Sequence, residues 1–172
     1  MAPPADLRAW IALLEREGEL VRVSAEVDPH LEVTEIVDRV VKAGGPALLF
    51  ESPKSEHPLL INQFGTERRM CLAFGVERLD DVGRKLGDVL EMQPPQGLVE
   101  KVKGLAKLKS IADSRPKSVR SGPCQEVVLT ADEVNLDLLP IQTCWPGDAA
   151  PFITLPAVIT RDPRTGSRNV GM

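Results

Sequence analysis

Residues 27–51, VDPHLEVTEIVDRVVKAGGPALLFE, decide how the chain is read. Asp28-Pro29 is a helix-start pair: a carboxylate that can cap free amides, then a proline whose fixed φ suits a first turn. Val33, Ile36, Val37, Val40 and Val41 follow at helical spacing and predict one apolar stripe. Gly44-Gly45 closes the helix, because glycine takes the left-handed conformation at little cost. Pro46 to Phe50 then reads as a buried strand. A helix running straight into an apolar strand indicates an α/β layout.

The flanking sequence extends the pattern. Asp6 can cap a helix that carries Leu7, Trp10, Ile11 and Leu14 on one face and closes near Gly18. Leu20 to Val23 reads as a short strand, and Leu59 to Asn62 and Met70 to Phe74 as two more. Leu79, Val82, Leu86, Val89 and Leu90 form another helical stripe. Pro94-Pro95 and Gly97 interrupt the pattern. A lysine-bearing amphipathic helix is expected over 98–109, either as a solvated face or as a contact for phosphate or lipid. After Pro116 the texture becomes β-rich, at Val119-Arg120, Gln125 to Thr130 and Phe152 to Thr160. Arg161 to Gly166 has hairpin-turn composition, with Ser167 onward as the returning strand. The expected organisation is a mixed α/β domain over 1–94, a helical linker over 95–117, and the first strands of a β domain over 118–172. Those strands are too few to close a sheet, so a cut second domain is expected.

Bulk properties exclude several classes. The 172 residues are 42% apolar, 27% charged and 3% aromatic, a globular composition. The net charge of −4 gives no basic field for nucleic acid. No apolar run of the roughly 18 residues needed for a membrane span occurs, and the first residues lack a signal-peptide plan. The three cysteines, Cys71, Cys124 and Cys144, are odd in number and far apart, so neither a disulfide framework nor a zinc knuckle is expected. Reduced thiols in a cytoplasm fit this usage.

Few side chains suggest chemistry. His30 and His57 have no second ligand at metal spacing and read as surface residues. Cys144 has no nearby base and reads as a packed cysteine. Gly44-Gly45-Pro46 lacks the features of a phosphate loop. The hairpin is more suggestive: Arg161, Arg164 and Arg168 suit phosphate, and the Asn169 amide oxygen suits a hard divalent ion. An ordinary exposed turn is the alternative.

Five blocks carry a family resemblance: residues 27–51 quoted above, NQFGTERRMCLAFG (62–75), GPCQEVV (122–128), LPIQTCWPGDAAPFIT (139–154) and TGSRNVGM (165–172). Together, and in this order, they resemble the UbiD-type decarboxylases, which use prenylated flavin mononucleotide. The resemblance implies an α+β protein: an N-terminal mixed α/β domain, then the first strands of a split β-barrel that holds the flavin. It implies non-oxidative decarboxylation of an aromatic acid, with 4-hydroxy-3-polyprenylbenzoate of ubiquinone synthesis as the nearest substrate. It implies prenylated FMN with Mn²⁺ on its phosphate and K⁺ nearby. Asn169 takes the place of a metal ligand, and Met172 that of a residue against the flavin. Thr154 lines the same pocket as a weaker carry-over. The Tyr-Arg pair, the metal-binding glutamate and the proton-transferring acids of the family pattern have no counterparts in residues 1–172, so no catalytic residue is assigned and these residues alone are expected to be inactive. The resemblance also implies a cytoplasmic homo-oligomer, a dimer or hexamer. A prenylated substrate adds a peripheral habit at the inner face of the membrane, with the lysine helix meeting acidic lipid. Two alternatives stand beside it: a scaffold or oligomerisation module without chemistry, and, less well supported, a flavin-reductase split barrel.

Overall fold

The computed structural model describes residues 2–90 and 117–171. The chain divides into two units, Met1–Glu77 with Asn135–Met172, and Arg78–Val134.

The first unit opens with helix α1, Leu7–Arg16. Asp6 caps it through a 2.8 Å bond from the Ala9 amide, and Gly18 closes it at φ 71°. Strand β1 (Leu20–Glu26), helix α2 (Glu32–Lys42), strand β2 (Ala47–Ser52) and strand β3 (Leu59–Ile61) follow. β2 is central, parallel to β1 and antiparallel to β3. Its first four residues are all buried, as expected of a strand covered on both faces. Trp10, Leu13 and Leu14 of α1 pack on Ala47, with Leu72 and Ala73 at the edge of that cluster. Val33 of α2 packs on Leu48 and Phe50, with Ile36, Val37 and Val40 beside it. The mixed α/β reading of residues 27–51 is therefore realised in the packing.

α2 begins later than Asp28-Pro29 suggests. The Asp28 carboxylate accepts from the His30 amide at 2.8 Å and so shapes a turn instead of capping the helix. Leu31 then adopts φ 67°, which interrupts helical geometry, and the helix starts at Glu32. Gly44 at φ 66° ends it.

Met70 to Phe74, expected as a strand, lies in helix α3, Glu67–Phe74. The local caps outweigh the apolar run. Thr66 accepts from the Arg69 amide at 3.3 Å, and Gly75 ends the helix in the left-handed conformation. Arg69 of α3 is 1% exposed. Its guanidinium donates to Glu19 at 3.0 Å and to the Gly45 carbonyl at 3.2 Å, joining α3 to the residue that leads into β1 and to the turn before β2. Asn62, at φ 55°, braces the same turn by donating to the Pro46 carbonyl at 2.8 Å. Asparagine is one of the few side chains that take this conformation readily.

The second unit holds helix α4, Asp80–Leu90, which contains the predicted stripe from Val82 onward. It also holds two short 3₁₀ turns, Pro123–Gln125 and Ala131–Glu133. The β-rich expectation for Val119-Arg120 and Gln125 to Thr130 is not met; at 122–125 and 130–133 local side chains close short turns instead. Gln125 accepts from the Gly122 amide at 3.1 Å and Glu133 from the Thr130 amide at 3.3 Å. The expected lysine helix at 98–109 lies outside the described residues, as does the 95–117 linker apart from Lys117. Among the described residues no helix is long and apolar enough to cross a membrane.

Candidate functional site

The expected hairpin forms. Strands β4 (Val158–Arg161) and β5 (Arg168–Gly171) pair antiparallel. The Asp162 carboxylate builds the turn by accepting from the Arg164 amide at 2.7 Å and the Thr165 amide at 3.0 Å. Those bonds, the one from Thr165 foremost, hold its pKa below the ordinary carboxylate value. Gly166 supplies the left-handed residue, φ 71°. Of the expected β-rich stretch from Phe152 to Thr160, only the end from Val158 is strand.

The register separates groups that the sequence places side by side. Thr160 lies opposite Asn169 and Val158 opposite Gly171, whereas Ile159 lies opposite Val170 and Arg161 opposite Arg168. Side chains alternate across a strand. Asn169 therefore shares a face with Thr160, and Arg161 and Arg168 occupy the other. Asn169 is exposed. Its amide nitrogen lies 3.7 Å from where a Cβ on Gly171 would stand, an ordinary contact distance, so Gly171 is the neighbour of that amide on the same face. Thr154 is exposed and precedes β4. The partner brought opposite Asn169 is Thr160, which spacing alone did not single out. Met172 lies outside the described residues.

The 139–154 block forms a loop fixed at its base. The Phe152 amide donates to the Gln142 carbonyl at 2.7 Å. The Asp148 carboxylate accepts from the amides of Cys144 at 3.2 Å and Trp145 at 2.9 Å. A hollow of about 480 Å³ is lined by Cys144, Trp145, Asp148, Pro151 and Phe152 among others. The loop is anchored to the α/β core. The Leu31 amide donates to the Thr143 carbonyl at 2.9 Å, and the Ser55 hydroxyl donates to the Leu138 carbonyl at 2.9 Å. Gln142 and Thr143 are buried, and the Gln142 amide oxygen has no hydrogen-bond partner among the described residues. These anchors join distant residues, and nothing in the sequence pattern announces them.

Other candidates stay apart from this site. His30 and His57 are exposed, as expected. Cys144 is half-buried and all three cysteines are free. Among the described residues no three histidine, cysteine or carboxylate side chains gather as a metal site.

Comparison with known proteins identifies the lineage. Residues 11–90 match the 3-octaprenyl-4-hydroxybenzoate carboxy-lyase N-terminal domain, and residues 116–172 match the Rift-related domain of the same carboxy-lyase. Among solved structures, an evolved dimeric form of the UbiD-class enzyme HmfF from Pelotomaculum thermopropionicum, in complex with prenylated FMN, is 30% identical. The match covers 95% of this chain and 34% of that one, with a TM-score of 0.67. The vanillic acid decarboxylase of Sedimentibacter hydroxybenzoicus, in an open form, is 26% identical over 96% of this chain and 34% of that one, with a TM-score of 0.71. The apo 3,4-dihydroxybenzoic acid decarboxylase of Enterobacter cloacae is 27% identical over 99% of this chain and 34% of that one, with a TM-score of 0.63. The chain thus spans about a third of the length of the solved structures it matches. Two domain matches in sequence order, together covering most of the residues, lead to one conclusion: the chain belongs to the UbiD family of carboxy-lyases.

Proposed function

We propose that these 172 residues supply the flavin-phosphate edge of a prenylated-FMN-dependent decarboxylase whose substrate is 4-hydroxy-3-polyprenylbenzoate of ubiquinone synthesis. In this reading residues 1–94 are the α/β domain, 95–117 a helical linker and 118–172 the opening strands of a split barrel. The protein works as a dimer or hexamer in the cytoplasm, resting against the inner membrane face where its greasy substrate resides.

The observation that carries the reading is the polar rung Thr160–Asn169, exposed on the hairpin face opposite the arginines. The Asn169 amide oxygen and the Thr160 hydroxyl are hard, neutral oxygen donors, which suit Mn²⁺ or Mg²⁺ better than a soft ion. They would supply one side of such an ion's shell and do not complete it. When bound, the prenylated flavin supplies an electron sink for the aryl carbanion left by loss of CO₂. The chain's own residues position and shield: Asn169 holds the ion, and Thr154 and Met172 line the ring. No proton-transfer group is assigned, so the 172 residues alone give no turnover.

The test is Mn²⁺ affinity measured by electron paramagnetic resonance in the presence of FMN. Asn169→Ala is expected to weaken it at least tenfold, while Asn169→Asp retains it. Equal affinity in Asn169→Ala would remove the assignment. For the substrate, CO₂ release by a longer polypeptide carrying these residues, reconstituted with prenylated FMN and Mn²⁺, should favour the polyprenylated acid over vanillate and 3,4-dihydroxybenzoate. A preference for either small acid would reject it. Absence of turnover in that polypeptide with all three acids would favour the scaffold reading.

A further inference from the structure

The hairpin face opposite Asn169 has an unusual charge arrangement. Arg161 and Arg168 lie directly across from each other, with Cβ atoms about 5 Å apart in such a pair. Like charges so placed oppose strand pairing. Arg164 adds a third guanidinium at the turn. Of the other described arginines, Arg16, Arg22, Arg39, Arg68, Arg69, Arg78 and Arg84 each have a carboxylate within salt-bridge distance, whereas Arg8 and Arg120 stand singly with no ion pair among the described residues. Arg161, Arg164 and Arg168 have no ion-pair partner among the described residues. The one acid in the hairpin, Asp162, already accepts from two turn amides. Among the described residues the Arg161 side chain donates only to the Gly166 carbonyl, at 3.3 Å. All three arginines are exposed, in a chain whose net charge is −4.

We propose that Arg161 and Arg168, with Arg164 at the turn, form a phosphate-recognition site on the hairpin face opposite Asn169, separate from the flavin-phosphate edge. Two guanidinium forks on one rung match the spread oxygens of a phosphate or diphosphate group, to which each can donate two hydrogen bonds. A bound dianion converts the like-charge pair from a repulsion into a clamp. The next rung on that face, Ile159–Val170, is exposed and apolar. It allows a phosphate carried either by a small molecule or by a lipid headgroup whose apolar part lies beside it. This proposal does not depend on the metal role of Asn169.

The experiment uses the 172-residue chain with two probes. Inorganic pyrophosphate is titrated by calorimetry, and sedimentation is measured with phosphatidylcholine vesicles with and without phosphatidic acid. Binding to at least one probe is expected. Arg161→Gln/Arg168→Gln is expected to weaken it at least tenfold, or about 1.4 kcal/mol, and Asn169→Ala should leave it unchanged. Pyrophosphate binding points to a soluble phosphate, and binding only to phosphatidic acid vesicles points to a headgroup; both support the site. No binding to either probe overturns it. Equal binding by the double variant also overturns it, as does equal loss in Asn169→Ala, which would mean one shared site. Arg168→Gln alone, which removes a side chain without a partner among the described residues, serves if the double variant fails to fold; unchanged binding there overturns the proposal as well.

Discussion

Removing Arg69 tests how the α/β core is clamped. The side chain is 1% exposed, donates to Glu19 at 3.0 Å and reaches the Gly45 carbonyl from both terminal nitrogens at 3.2 Å. Hydrogen bonds to a charged group are each worth about 1.5–3 kcal/mol, and breaking a buried pair from one side costs about 3–5 kcal/mol. Two features soften the loss. Glu19 keeps Arg68 at 2.9 Å, and the Gly45 carbonyl keeps Asn62 at 3.3 Å. Arg69→Ala is therefore expected to cost about 3 kcal/mol, the low end of that range. With a urea m-value of about 2 kcal/mol/M, the denaturation midpoint falls by about 1.5 M. Arg69→Met retains the packed stem and recovers part of the loss. Glu19→Gln should cost less than Arg69→Ala, and the two effects should not add. A midpoint shift below about 0.3 M for Arg69→Ala, equivalent to roughly 0.6 kcal/mol, would refute the clamp.

Further expectations concern the turns and the loop. A Cβ on Gly45 would stand 2.7 Å from Val40 Cγ1 and 3.0 Å from the Val40 carbonyl oxygen, so Gly45→Ala should destabilise by about 1–3 kcal/mol in the same denaturation assay. The Asp162 pKa is lowered from 3.8 by its turn bonds. The hairpin therefore gains stability above the unfolded value and loses it as pH falls through the lower folded value. Protection of the Arg164 and Thr165 amides, taken as exchange relative to the intrinsic rate at each pH, should fall over that acid window in the wild type and stay level in Asp162→Asn, which keeps an amide acceptor without the titration. Trp10 is buried and stacked on Phe64, with centroids 5.8 Å apart, while Trp145 is 59% exposed. Iodide should quench one tryptophan population, and Trp145→Phe should abolish the quenchable part.

What could be read in advance followed the range of the forces involved. The α2–β2 stretch was legible because Val33, Ile36, Val37 and Val40 repeat at helical spacing and Gly44 stops them. The hairpin was legible because Asp162 and Gly166 are local turn chemistry. α3 was misread as a strand because Met70 to Phe74 is apolar, while the decisive Thr66 and Gly75 caps sit at its margins. Residues 125–130 looked extended from their valines, yet Gln125 and Glu133 closed the backbone locally. The separation of Asn169 from the arginines needed the register, which depends on where the turn begins. The anchors at Leu31–Thr143 and Ser55–Leu138 join residues too far apart for any periodicity to show.

Those two anchors also bear on how the polypeptide tolerates change in length. The Ser55 and Leu138 partners are 83 positions apart. Closing a long flexible loop grows costlier only logarithmically, so doubling the intervening stretch adds about 0.6 kcal/mol. A single interior hydrogen bond contributes about 1 kcal/mol, enough to offset that increase. The span between the two attachment points can therefore change in length at little cost, while residues 138–143 stay tied to the α/β core.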